Sequence, residues 1–341
     1  MMENQISIKK EFSEQRRHDL SELLKNKVSL WTDVEALSKT ACVYTTGSFG
    51  RSDASIYSDL DVFVLTDVEE ISGRRLLGNL QEIELLASII SANREMNLPE
   101  LDADGGFLKA HRLTDYLEGL GKPDDDKNNT FTGRILLLLE SQPLFGNEVY
   151  RKVKEECIHR YWIDYSDHSD TFVPAFLLND ILRFWRTLCI NYESGFEING
   201  TLDPAKRRAK NYKLKYSRLM TCFSAVIGLQ VQLSKTGTVT PEQALFISDQ
   251  TPIERLEMVG EAAPHCSSLV SDILYKYNVF LSEVNCSKED LRKKMEDASF
   301  YRDSLHSARS FGDSVYMLMD KISDQQDVGS KAWRFLRYVT V

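Results

Sequence analysis

Apolar positions recur along this chain with two different periods, and the change from one to the other divides it. Ile8, Phe12, Leu20, Leu23 and Leu24 fall at helical spacing among charged residues, so 8–26 reads as an amphipathic helix. A short helix near 30–38 leads into Cys42-Val43-Tyr44-Thr45-Thr46. That run is β-branched and aromatic and stops at Gly47, which predicts a strand ending in a turn. Residues 60–66, Leu-Asp-Val-Phe-Val-Leu-Thr, predict a second strand. Leu76, Leu80, Ile83, Ala87 and Ile90 then share one face of a helix, and 107–111, after the turn Asp104-Gly105-Gly106, predict a third strand.

A polar segment at 122–130 reads as a loop in which Asp124-Asp125-Asp126 is a solvated charge run. Beyond it the period is helical almost throughout. Helices are predicted over 131–141, 147–162, 174–194, 204–234, 241–248, 252–260, 267–283, 287–297 and 300–322, with a last one near 329–338. The change near 145, marked by Pro143 and Gly146, is taken as the boundary between a domain at 1–145 and a helical one at 146–341. The expected class is α+β: a mixed sheet with flanking helices, then an all-α domain, with the active site in the cleft between them.

Composition narrows the partners. The 341 residues are 42% hydrophobic and 27% charged, as in soluble globular proteins. With 42 Lys plus Arg against 51 Asp plus Glu, the chain lacks the broad cationic face of a general nucleic-acid binder. Six cysteines show no CxxC spacing, so a zinc site is not expected and the thiols read as reduced and cytoplasmic. The N-terminus has no apolar run of signal-peptide length. The longest apolar stretch, 219–233, contains Thr, Ser and two Gln and is too short and polar to span a bilayer, so no membrane is expected.

The chemistry concentrates in one short segment. Gly47-Ser48-Phe49-Gly50-Arg51 follows a strand and opens a helix, where glycines let backbone approach phosphate and free amides favour an anion. The Ser48 hydroxyl adds a hydrogen-bond donor. Asp59-Leu60-Asp61 then enters an apolar strand. Alternation puts Asp59 and Asp61 on one face, their backbones roughly 6.5–7 Å apart, with Leu60, Val62 and Val64 on the other. Two carboxylates so placed repel unless a cation compensates them, and magnesium prefers hard carboxylate oxygens. An Asp-x-Asp or a Gly-Ser alone arises by chance in a chain of this size. Their conjunction with a strand, a basic residue and a short spacer is what gives the segment specificity; the bland reading is a surface turn and a solvated strand end.

Thr46-Gly47-Ser48-Phe49-Gly50-Arg51 through Tyr57-Ser58-Asp59-Leu60-Asp61 resembles the core signature of the polymerase-β-like nucleotidyltransferase superfamily. Within it the segment is most similar to the uridylyltransferase of the PII signalling protein and to related bacterial nucleotidyltransferases. The resemblance implies a nucleotidyltransferase-type sheet, two magnesium ions (manganese as the alternative) and an NTP. Asp59 and Asp61 would be metal ligands, with Gly47 and Ser48 on the triphosphate and Arg51 in the same nucleotide-binding set. A third carboxylate, catalytic and metal-binding, is expected just before the third strand; Asp104 is favoured over Asp102, with Glu100 nearby. The segments 129–134, 138–141, 179–188 and 213–218 resemble the helical part of the same enzymes. His18-Asp19 is an isolated pair, so the paired His-Asp phosphohydrolase motif of the PII-modifying enzymes is not matched and PII is not the expected acceptor.

Other features carry two readings each. The basic run at 204–218 is either a cationic wall for phosphates, with Lys213 and Lys215 as its nucleotide-binding members, or a solvated helix face. Arg183 and Arg186 suit either that wall or buried ion pairs. His159, Asp164, Asp167, His168 and Asp170 match no metal spacing and read as a polar loop. The aromatics 162, 172, 176, 184 and 185 read as helical core. The expected activity is magnesium-dependent transfer of NMP from an NTP to an acceptor hydroxyl with release of pyrophosphate, the acceptor a protein. The alternatives are a non-catalytic NTP-binding regulatory module, or a transferase acting on RNA, a small molecule or a second nucleotide.

Overall fold

The computed structural model describes residues 3–66, 78–101, 108–194 and 203–340. They fall into two compact units, Ile6–Arg160 and Tyr161–Val341, the latter with Met1–Gln5. The fold is α+β.

The first unit is built on a four-stranded mixed sheet in the order β3-β2-β1-β4. Strand β1 (Ala41–Thr46) pairs antiparallel with β2 (Asp61–Thr66) and with β4 (Gln142–Phe145); β2 pairs parallel with β3 (Ala110–Arg112). Helices α1 (Gln5–Val28) and α4 (Asn79–Glu95) carry apolar stripes onto one sheet face. Leu20, Leu24 and Val28 of α1 and Leu85, Ile89 and Ala92 of α4 pack there in one cluster with Val43, Leu60, Val62 and Val64. The opposite face is aromatic. Tyr44 stacks on Phe63 at 5.5 Å, and its hydroxyl lies 3.2 Å from that of Tyr116. The alternation of β2 thus sends its two sets of apolar side chains to opposite faces of a sheet covered on both sides.

Between these elements run α2 (Val34–Ser38), the one-turn α3 (Gly47–Arg51), α5 (Leu113–Glu118), α6 (Pro123–Lys127), α7 (Thr130–Leu139) and α8 (Asn147–Tyr161). Two sequence expectations are corrected here. The segment 122–130 is not a loop: Pro123 stands in the first turn of α6 beside three aspartates, which suit a helix N-terminus. Asp125 is not solvated but fully buried, paired with Arg134. The second correction is β4, which has no counterpart among the strands the sequence predicts, since Pro143 marks a boundary there. A proline lacks a ladder N–H, and β4 is an edge strand, where that is tolerated.

The second unit is helical: α9 (Ala175–Ser194), α10 (Pro204–Lys213), α11 (Leu219–Thr236), α12 (Pro241–Asp249), α13 (Pro252–Ala262), α14 (Ser267–Glu283), α15 (Lys288–Glu296), α16 (Ala298–Asp324) and α17 (Phe335–Thr340). Helices α12 and α13 each start with a Thr capping box and a proline at the first turn. The single helix expected at 204–234 is interrupted by a π-helical turn, Leu214–Arg218. Tyr216 in that turn is buried between Phe280 and Phe311, with ring centroids 4.5 and 4.4 Å away, and its hydroxyl meets Ser307 at 2.6 Å. Among the described residues no helix is long and apolar enough to cross a membrane.

Candidate active site

The site grows from the join of β1 and β2. Thr46 pairs with Asp61 in the antiparallel register, and the Thr45 hydroxyl donates to the Asp61 carbonyl at 2.9 Å. The last residue of β1 is therefore fixed beside the first of β2, and the turn that follows β1 begins against the Asp61 carboxylate. Gly47 has φ +64°, and a methyl group in place of its hydrogen would overlap Asp61 Oδ2. Only glycine satisfies both the backbone angle and the approach.

The turn is held by buried charge. Arg51 closes α3 and is 7% exposed. Its Nε and one terminal nitrogen donate to Asp53 at 3.0 and 3.2 Å, and the other terminal nitrogen donates to Glu140 at 2.9 Å. The second oxygen of Glu140 accepts the Gly47 N–H at 3.2 Å. From α1, Arg17 donates to the Phe49 carbonyl at 2.6 Å and to the Ser52 hydroxyl at 3.0 Å. Ser13, also on α1, accepts the Ala54 N–H at 3.0 Å. Ser52 adopts a left-handed φ of 61°, which ends the helix after one turn. Downstream, Ser55 and Ser58 bond each other across the loop, main chain to main chain and main chain to hydroxyl, both at 3.0 Å.

One consequence of this packing singles out a residue. From Ala41 to Ala54 every residue is buried except Ser48, which is half-buried. Among the described residues its hydroxyl has no hydrogen-bond partner. Asp59 and Asp61 are likewise half-buried, while Leu60, Val62 and Val64 between and beyond them enter the apolar cluster. Asp59 stands just ahead of the strand, which begins at Asp61.

Of the residues picked out from sequence, the structure brings Gly47, Ser48, Arg51 and Asp61 together, with Asp59 two positions before Asp61. Arg51 is engaged by two buried carboxylates, and the single N–H of Gly47 is engaged by Glu140. Asp104 and Asp102 lie outside the described residues. Lys213 and Lys215 belong to the second unit: Lys213 is exposed at the end of α10, and Lys215 is half-buried in the π turn. Lys215 acts on Cys189 of α9, whose thiol is pushed up by burial and by Glu193 and drawn down by that lysine. Glu140, Asp53 and Arg17 join the site only through the fold, with no role predicted for them from sequence. Glu140 is 93 residues from Gly47 in the chain, and no local pattern links them.

Two oxygen-rich carboxylates at the mouth of an apolar strand are a donor set suited to a hard divalent cation. The bare Cα of Gly47 keeps the ground beside Asp61 Oδ2 free of a side chain. Among the described residues no group of three or more His, Cys, Asp or Glu is placed to hold a metal ion.

Comparison with known proteins converges on the same segment. Residues 28–102 match the family model described as a nucleotidyltransferase domain. The matched residues include β1, the Gly-Ser turn, both aspartates, β2 and α4. No curated protein sequence matches the chain.

Proposed function

Taking the nucleotidyltransferase domain at 28–102 as premise, we propose that this chain transfers NMP from an NTP to a hydroxyl of a protein acceptor, with magnesium at Asp59 and Asp61. The observation that carries the reading is the exposure pattern: along a buried turn and strand, Ser48, Asp59 and Asp61 alone of the signature's polar residues in 45–54 and 59–66 reach the surface. Ser48 offers its hydroxyl and amide to the phosphates. Gly47 contributes the absence of a side chain, and Arg51 the rigidity of the turn. Asp59 and Asp61 would hold the cations, which, when bound, neutralise charge gathering on the attacking and leaving oxygens.

The acceptor oxygen bonds to the α-phosphorus as the bond from that phosphorus to the bridging oxygen breaks. Pyrophosphate leaves, and the hydroxyl proton passes to a carboxylate, for which Asp104 is proposed, with Asp102 next. A net charge of −9 favours a protein acceptor over a polyanionic RNA.

The test is incubation of each radiolabelled NTP with cell lysate and magnesium, wild type beside Asp59→Ala/Asp61→Ala. Label in a protein band, with pyrophosphate released, is expected from wild type alone. The variant should be slower by about a thousand-fold, the scale on which charge stabilisation in a transition state is lost. Label appearing in RNA or in small solutes would reassign the acceptor. Triphosphate bound with no pyrophosphate released would make the chain a binding module.

A further inference from the structure

We propose that Glu140 is a positioning residue for the phosphate-binding turn, an inference that rests on the reading of Gly47 and Ser48 just given. Glu140 follows α7, far from the signature in sequence, and its side chain is wholly buried. Its two carboxylate oxygens serve the two ends of the turn. One accepts the N–H of Gly47, the first residue; the other accepts from the guanidinium of Arg51, the last. Its backbone is engaged as well, since a methyl group at Gly50 would overlap the Glu140 carbonyl oxygen. A single residue therefore sets the distance between the ends of the turn and the depth at which its middle sits.

Ser48 lies between those ends. The hydroxyl it presents points where the clamp directs it, while Asp53 on the far side of Arg51 prevents the guanidinium from turning away. Glutamate is suited to this role in a way that glutamine is not. Both oxygens of a carboxylate accept, whereas an amide offers one acceptor and turns an NH₂ toward the other donor. In Glu140→Gln either the Gly47 N–H or the Arg51 guanidinium loses its acceptor, and the turn gains freedom at one end. The nucleotide should register this at the β- and γ-phosphates and not at the nucleoside or α-phosphate.

The experiment measures, by competition, the affinity of the full chain for ATP, CTP, GTP and UTP with magnesium and for the matching monophosphates. In Glu140→Gln the triphosphate that wild type prefers should bind ten-fold or more weakly, about 1.4 kcal/mol. Its monophosphate should bind within two-fold of wild type, with an unchanged circular dichroism spectrum. A folded Glu140→Gln whose triphosphate-to-monophosphate affinity ratio equals that of wild type overturns the proposal and leaves the transferase reading standing. A wild-type chain that binds none of the four triphosphates removes the reading itself. If Glu140→Gln does not fold, Arg51→Lys takes its place, keeping the charge but losing the fork that spans both carboxylates. The same selective loss is expected there, and unfolding of both variants would assign Glu140 to folding alone.

Discussion

Among the described residues of the first unit two arginines are buried, Arg51 and Arg134, and each meets a carboxylate, yet they do different things. Arg134 lies on α7 and donates to Asp125 of α6 and, at 2.7 Å, to the carbonyl of Tyr116 on α5. The Thr130 hydroxyl also bonds Asp125, at 2.7 Å. That cluster joins three helices and includes no residue of the nucleotidyltransferase signature. The Arg51 cluster ties the two ends of one turn to each other through Asp53 and through Glu140 beyond α7, beside a serine whose hydroxyl has no partner among the described residues. The same pair chemistry thus stitches helices together in one place and holds a loop in one pose in the other. An ion pair needs its context before it can be read as stability or as function.

The sharpest way to break this contrast is Arg134→Met, which fills much of the volume but leaves Asp125 buried without its cation. Removing one partner of a buried pair costs about 3–5 kcal/mol. Urea melts should show a loss of that size, with triphosphate affinity of the folded fraction unchanged. Were affinity to fall in step with stability, as it should not in the Glu140→Gln variant, the division between the two clusters would be lost.

What was legible in the sequence follows the same division. The strand into Gly47 and the alternation through Leu60, Val62 and Val64 are local patterns, and the structure shows both. Asp61 opens β2, whereas Asp59 stands two residues ahead of it, outside the strand on which alternation would have placed both. Asp125 and Glu140 were not legible, because burial of a carboxylate depends on a cation that only the folded chain supplies. Asp125 looked like one member of a solvated triplet; its partner is nine residues on, around a helix start. Arg51 illustrates the converse: its position in the signature suggested phosphate, and only the packed turn shows Asp53 and Glu140 around it. Strand β4 was hidden by Pro143, which pairs opposite Tyr44 at a sheet edge, next to an irregularity between Val43 and Tyr44.

A smaller effect probes the aromatic face of the sheet. His111 of β3 is buried, its ring 5.6 Å from Tyr116 and 6.2 Å from Phe63. Burial, reinforced by Lys109 and opposed by Asp115, pushes its pKa from 6.5 down to about 4. Between those two values the unfolded chain binds a proton that the folded chain refuses. Stability is therefore full above about pH 6.5 and is lost as pH falls toward 4. From pH 7 to pH 5 the loss from this group should be about 2 kcal/mol. His111→Phe should remove that part of the slope. Melts of both proteins at the two pH values decide it, and parallel slopes would mean that the ring is protonated within the fold.

The smallest expected effect falls on the residue most exposed to the proposed substrate. Ser48 is flanked on both sides by buried residues that hold the turn without using its hydroxyl. Ser48→Ala should leave the melting curve where it is, because no intramolecular bond of that hydroxyl is broken among the described residues. Triphosphate affinity should fall five- to ten-fold, the effect of one neutral hydrogen bond of about 1 kcal/mol. Monophosphate affinity should stay as it was. If the substitution lowers stability and leaves affinity alone, the hydroxyl serves the fold. The one polar group that the clamp leaves at the surface would then not be what the clamp is for.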